Sequence, residues 1–275
     1  MKLLITPWPA SILLGMMLAG CVGQSMAQQI SERQKTAQAM FEQRCKMAGT
    51  TIRETAENVD GLFLLKIRPR AINFGDQFEL TDPYGEDLGG QGYIGSFLKD
   101  EYHSTHRGVP KPGSPPRLGY LYVDVIDPQD GTRYRYTGAK KIVGRKDASA
   151  PGVIFELRRN PNYDLNIYAF MLEKAPADNP APRYGVTYDD ISTREEREYW
   201  IAGSSLKVID LKTNEVIAER IGYMMDSAQG SRAGGRSPWL LAANNACPKF
   251  ADQHGASAQP YQTLDFAEKV LKPSK

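Results

Sequence analysis

Three histidines, a serine pair and a run of carboxylates are the residues whose types could support a reaction. His103 and His106 make an H-x-x-H spacing, and His254 stands alone late in the chain. On a helix that spacing would bring two imidazoles toward one metal ion. Ser104, Arg107, Gly108 and Pro110 around them favour a loop instead, and the Arg107 charge opposes a cation there. Exposed loop histidines are therefore the expected reading. Asp76, Asp82, Glu86 and Asp87 bring oxygen ligands among the glycines of Asp82-Pro83-Tyr84-Gly85-Glu86-Asp87-Leu88-Gly89-Gly90. The Asp-x-Asp-x-Asp ladder and closing Glu of a calcium loop are missing from that segment. No G-x-S-x-G elbow surrounds Ser204-Ser205, and no phosphate loop, dinucleotide fingerprint or H-E-x-x-H occurs. Asp189-Asp190 and Arg194-Glu195-Glu196-Arg197 read as solvated charges. A site assembled by folding stays open, but the sequence displays no nucleophile with its base. The expectation is a chain that is not an enzyme and holds neither metal nor cofactor.

The N-terminus carries a different chemistry. Lys2 precedes the apolar run Ile12-Leu13-Leu14-Gly15-Met16-Met17-Leu18-Ala19, and no acidic residue comes before Glu32. This is the pattern of a secretory signal, shorter than the ~20 apolar residues that span a bilayer. It ends in Leu18-Ala19-Gly20-Cys21, which resembles the lipobox of bacterial lipoproteins. The resemblance implies cleavage before Cys21, lipidation of its thiol, and, with Val22 rather than Asp following, delivery to the outer membrane facing the periplasm. Residues 1–20 are then signal, 21–29 a tether, and 30–275 a single domain. Cleavage after Ser25-Met26-Ala27 is the alternative, and it would discard Cys21.

With Cys21 acylated, Cys45 and Cys247 are left, one near each end of the mature chain. An oxidising compartment predicts that they pair, with two buried free thiols as the alternative. The formal net charge is +2, and loss of Lys2 leaves the mature chain near +1 with its charges well mixed. No basic block is present to neutralise a phosphate backbone, which argues against nucleic acid as a partner.

Residues 31–47 read as a helix, with Ser31 and Gln34 in a capping-box pattern and Ala37, Phe41, Cys45 and Ala48 on one stripe. Beyond it, strands dominate. Residues 62–67 make a short apolar strand, and 118–127 with 132–137 make a hairpin around a Pro/Asp/Gly turn. Residues 153–159 and 163–172, flanking Asn160-Pro161-Asn162, read as a second hairpin. Residues 199–211 and 215–225 make the longest, and Val125-Ile126-Asp127 and Val208-Ile209-Asp210 give two of these hairpins alike entries to their turns. Pro238 to Ala243 precedes Cys247, and Thr263 caps a last helix through Leu264, Ala267, Val270 and Leu271. The fold class predicted is α+β, a predominantly antiparallel β-sheet built from hairpins with an N-terminal and a short C-terminal helix. The proline-rich stretch 176–182 is either a boundary between two lobes or a surface loop.

The stretch from Tyr84 through Tyr93, Phe97 and Tyr102 to Arg117 mixes aromatics, charge, glycine and proline. Tyr84, Asp87, Tyr93, Tyr102, Arg107 and Arg117 are the candidate partner-binding residues, since Tyr and Arg are favoured interface anchors. A merely connecting loop is the alternative. Glu57-Asn58-Val59-Asp60-Gly61-Leu62-Phe63-Leu64, Asp82-Pro83-Tyr84-Gly85, Trp200-Ile201-Ala202-Gly203-Ser204-Ser205, Pro238-Trp239 and Ala246-Cys247-Pro248 resemble segments of proteobacterial lipoproteins. Those lipoproteins are encoded beside type VI secretion lipase effectors. The resemblance implies an immunity protein that binds a secreted phospholipase-type toxin in the periplasm. A structural or assembly lipoprotein is the alternative function, and a periplasmic hydrolase the third.

Overall fold

The computed structural model describes residues 32–70, 77–85, 89–99, 119–250 and 259–274. Cys21 and the tether, Ser31, Asp76, Glu86, Asp87, Tyr102, His103, His106, Arg107, Arg117 and His254 lie outside them. Helix α1 covers residues 32–45. Its stripe behaves as its period predicts: Ala37 and Phe41 are buried one turn apart, and Cys45 and Ala48 continue the contact.

The strands are β1 (Gly49–Ile52), β2 (Ala56–Val59), β3 (Gly61–Leu64), β4 (Tyr122–Ile126), β5 (Arg133–Arg145) and β6 (Asn166–Pro176). They continue with β7 (Tyr184–Asp190), β8 (Ile201–Asp210), β9 (Glu215–Met225), β10 (Ala246–Cys247) and β11 (Leu271–Pro273). Between them lie helices α2 (Gln91–Ser96), α3 (Pro151–Arg159), α4 (Arg194–Glu198), α5 (Pro238–Ala242) and α6 (Gln262–Val270). Nine strands form one sheet in the order β1-β9-β8-β7-β3-β4-β5-β6, with β10 also paired to β9. The fold is α+β and its pairing is mostly antiparallel, as expected. The centre differs: β3 runs parallel to both β4 and β7, and a small parallel pair joins β11 to β2. Hairpin signals are local, so they could not announce these long-range parallel pairings.

One sheet face carries the main core. Leu62, Leu64, Val123, Val125, Val186, Leu206 and Val208 alternate inward there. Tyr93, Ile94 and Phe97 of α2 and Leu264, Ala267 and Val270 of α6 cover them. Full burial of each large apolar side chain contributes roughly 1.5–3 kcal/mol as an upper estimate. Helix α1 packs on the opposite face at one end, against Ile201, Tyr223 and Met225. Cys45, at the end of α1, bonds Cys247 of β10, with a Cα–Cα distance of 5.5 Å. No described helix is long and apolar enough to cross a membrane.

The two hairpins with like entries share their turn chemistry. Asp127 accepts a bond from the Gln129 amide at 3.0 Å, and Asp210 accepts one from Lys212 at 3.0 Å. Gly131 and Asn214 then occupy the left-handed position, with φ of 70° and 60°. Residues 176–182 do not divide the sheet, because β6 before them and β7 after them belong to it. The loop lies against the sheet instead. Arg133 donates to the Ala177 and Asn179 carbonyls, and Arg135 donates to Pro180 at 3.1 Å.

Several local readings are corrected. Residues 151–159 are a helix, not the first strand of a hairpin. Pro151 sits at the helix start, where its fixed φ is pre-organised, and an Asp147 turn capturing the Ser149 amide precedes it. The β-branched run Val153-Ile154 hid that signal. Thr263 does not cap α6, whose N-cap is Tyr261; Thr263 is buried in the first turn. Leu271 belongs to β11 rather than to that helix.

Candidate interaction surface

Strand β5 outruns its neighbour. It pairs with β4 only through Arg133–Tyr136, yet it continues with β6 as far as Arg145. Residues 138–172 are therefore a two-stranded ribbon closed by α3, an arm roughly 25 Å long at ~3.3 Å per strand residue. No residue of the arm is fully buried.

Isolated two-stranded ribbons are marginal in water, so local ties must hold this one. At its base, Asp124 is fully buried beneath two arginines. Arg133 reaches it at 2.8 Å, and Arg135 grips both carboxylate oxygens at 2.7 and 3.0 Å. That carboxylate raises the Arg135 guanidinium above its ordinary value by hydrogen bonding. Lys174 donates to Asp127 at 2.8 Å and lies over the Tyr134 ring at 3.7 Å. Its hydrogen bond holds the Asp127 carboxyl below the usual range. Farther out, the Phe170 ring covers Gly138, Lys140 lies over Tyr168, and Lys141 pairs with Glu173. At the tip, Lys146 donates to the Asp164 carbonyl at 2.9 Å and to the Tyr163 hydroxyl at 3.0 Å.

What the arm presents is apolar. Ile142, Val143, Phe155, Ile167 and Met171 are all exposed on it. Among the described residues strand β6 is the last in the sheet, so no described strand pairs with its outer edge. Edges are usually guarded by charge or proline, yet Asn166-Ile167-Tyr168-Ala169-Phe170-Met171-Leu172 has neither. Guards appear only at the base, as Glu173, Lys174 and Pro176.

Two of the candidate partner-binding residues are corrected. Tyr84 is 0% exposed, packed among Ala202, Met224 and Trp239, with its hydroxyl seated against Gly222, where a Cβ would stand 2.0 Å away. Its carbonyl accepts from Gln259 at 2.8 Å and Gln262 at 3.1 Å. Tyr93 is 1% exposed and meets Phe97 edge-on at 5.3 Å. Both are core aromatics, because α2 and the turn at Pro83–Gly85 fold inward over the sheet. Asp87, Tyr102, Arg107 and Arg117 lie outside the described residues. The described ends that flank Tyr102, Arg107 and Arg117 are joined by the Lys99 amide to the Tyr120 carbonyl at 2.9 Å and the Tyr120 amide to the Phe97 carbonyl at 2.8 Å.

Asp82, Ser204 and Ser205, the described members of the set that could support a reaction, have structural partners. Asp82 is buried, accepting from Arg68 at 2.7 Å and from the Ser204 hydroxyl at 2.8 Å. Desolvation raises its pKa above the usual carboxylate value, against the pull of Arg68. The Arg68 guanidinium also stacks over Tyr188 at 3.8 Å. The other serine, Ser205, donates to Glu219 at 2.6 Å. Among the described residues, no group of three or more His, Cys, Asp or Glu is placed to hold a metal.

The charges read as solvated need correction too. Glu196 and Arg197 are buried, at 1% and 4% exposure. Thr193 and Glu196 form a reciprocal capping box, and Arg44 of α1 pairs with Glu196. Arg197 binds Asp190 and the Gln77 and Leu80 carbonyls, fastening residues 77–80 to α4. The Thr193-x-x-Glu196 spacing was a visible signal of the cap. A disulfide-stapled α+β scaffold with a projecting ribbon is the class that this architecture defines. Comparison with protein families, curated proteins and solved structures gives no match to the chain.

Proposed function

We propose that this chain is a lipid-anchored lipoprotein of the outer membrane, facing the periplasm, that binds and neutralises a secreted phospholipase-type toxin. The observation that carries the reading is the arm's outer edge: an unguarded strand with Ile167 and Met171 exposed along it. A partner's strand can add to such an edge, main-chain hydrogen bonds giving affinity and alternate side chains specificity. The Cys45–Cys247 bond suits an oxidising compartment. Anchoring through Cys21 raises the inhibitor's effective concentration where a phospholipase must work. The lipidated cysteine and the identity of the toxin class come from the sequence resemblance. No catalytic step is assigned to the chain, whose Ser204 hydroxyl is spent on buried Asp82.

The test is a deletion of this gene with the adjacent effector gene intact, followed by challenge with effector-producing siblings. The deletion strain should die, and the wild-type gene should restore survival. A gene carrying Ile167→Lys and Met171→Lys should restore it poorly. Unchanged survival of the deletion strain would sink the proposal.

A further inference from the structure

The tip of the arm has a chemistry that the outer edge does not use. Ile142, Val143 and Phe155 are 60%, 54% and 58% exposed there. Cations share this part of the arm: Lys140, Arg145, Arg158 and Arg159 are all exposed, and Arg159 lies over the Phe155 ring at 5.6 Å. Residues 138–172 hold six Lys and Arg against three Asp and Glu. That excess of three exceeds the +2 of the entire chain, so the rest of the protein is slightly acidic and the positive field belongs to the arm. The three acids are Asp147, Glu156 and Asp164. Asp147 and Asp164 are turned into local loops by Ser149 and Tyr168.

Helix α3 completes the arrangement. Val153, Ile154 and Leu157 are half-buried, while Phe155 points away and Arg158 and Arg159 follow at the helix end. Exposed apolar side chains beside exposed Lys and Arg, with Lys146 over Tyr163 and Lys140 over Tyr168, match the interfacial zone of a bilayer. The aromatic and aliphatic groups enter the headgroup boundary and the cations meet lipid phosphates. A neutral protein groove would satisfy the apolar residues but leave the concentrated charge without a counterpart.

We propose that the tip of the arm docks on an anionic phospholipid surface, Phe155 and Ile142 entering the interface and Arg145, Arg158 and Arg159 binding headgroup phosphates. This docking is independent of the toxin reading and of the Cys21 anchor. It places a second contact with the membrane at the far end of the arm from the body.

The test uses the unlipidated chain from residue 22 onward, which retains every described residue. Co-sedimentation is measured with vesicles of phosphatidylglycerol and phosphatidylethanolamine, and separately with pure phosphatidylcholine. Binding should favour the anionic vesicles and weaken with added salt. Phe155→Asp and the pair Arg158→Glu with Arg159→Glu should each weaken it by roughly tenfold or more. These side chains are exposed, so circular dichroism should show unchanged folding. Equal binding to both vesicle types, no binding to either, or indifference to the tip substitutions would each overturn the inference. Tip variants that lose capture of a protein partner while keeping full vesicle binding would overturn it as well, assigning the tip to protein. Met171→Lys alone, opposite Ala139 toward the base, leaves the tip side chains in place, so a loss of protection by that variant with vesicle binding kept bears on the toxin reading alone.

Discussion

Removing the disulfide should cost as much as deleting a core aromatic side chain. The Cys45–Cys247 bond joins residues 202 apart in sequence, and the chain-entropy relation gives a ceiling of ~5 kcal/mol for such a loop. The structure says where the loss is felt. Cys45 ends α1, which packs through Ala37 and Phe41 and pairs Arg44 with Glu196, and Cys247 lies in β10. That strand meets β9 only through Ala246↔Met224 and Cys247↔Tyr223. The bond therefore fastens the end of α1 and a strand of two residues to each other across the β9 edge. In the Cys45→Ala, Cys247→Ala double variant, unfolding free energy should fall by about 3–5 kcal/mol. At ~2–4 °C per kcal/mol for a domain of this size, the midpoint of thermal unfolding should drop by roughly 6–20 °C. Urea unfolding followed by far-ultraviolet circular dichroism measures the first quantity, and alkylation with mass spectrometry verifies the bond in the parent. A loss under about 1 kcal/mol, with the parent bond verified, would refute the loop-closure reasoning.

Three further outcomes are expected. Tyr93→Ala should destabilise the protein by about 3–5 kcal/mol in urea unfolding, the scale of a deleted core aromatic, where a surface contact would cost almost nothing. Acid should weaken the fold through Asp189, whose carboxyl is held low mainly by Lys66 and also by Lys207. With the folded value depressed, its contribution is full above the ordinary carboxylate value of about 3.9 and is lost as pH falls through the folded value. Lys66→Met with Lys207→Met should flatten that acid limb in a pH series of urea melts; an unchanged limb would contradict it. Replacing residues 139–171 by an Asn-Gly turn between Gly138 and Leu172, which face each other across the ribbon, should remove vesicle binding. Body stability should change by no more than ~1–2 kcal/mol, the share of half-buried Phe170, as urea unfolding would measure.

How much of this was legible depends on the range of the signal. The α1 stripe, the β8–β9 hairpin and the two Asp-led turns rest on spacings within a few residues, and the structure has them. The cysteine pairing was legible through compartment chemistry, without geometry. Tyr84 and Tyr93 were misread because aromatics among Gly, Pro and charge look the same whether the loop folds inward or outward. Burial was decided by Gly222 and by α6, more than a hundred residues away in sequence. Glu196 and Arg197 failed for a related reason, since their partners are Arg44 and the Gln77 and Leu80 carbonyls.

The arm shows the same limit from the other side. Its strands were partly visible, but a run such as Asn166 to Leu172 reads as core in any one-dimensional pattern. Only the register reveals that β4 stops at the partner of Tyr136 and that no described strand pairs beside the arm's outer part. A segment with no fully buried residue adds little to the body's stability, yet it exposes an edge that invites aggregation. The polar ties at Asp124, Asp127 and Lys146 keep that segment ordered without drawing it into the core. Under the docking proposed above, local order spent on displaying apolar surface has a counterpart, and the charge excess of the arm matches a negative one.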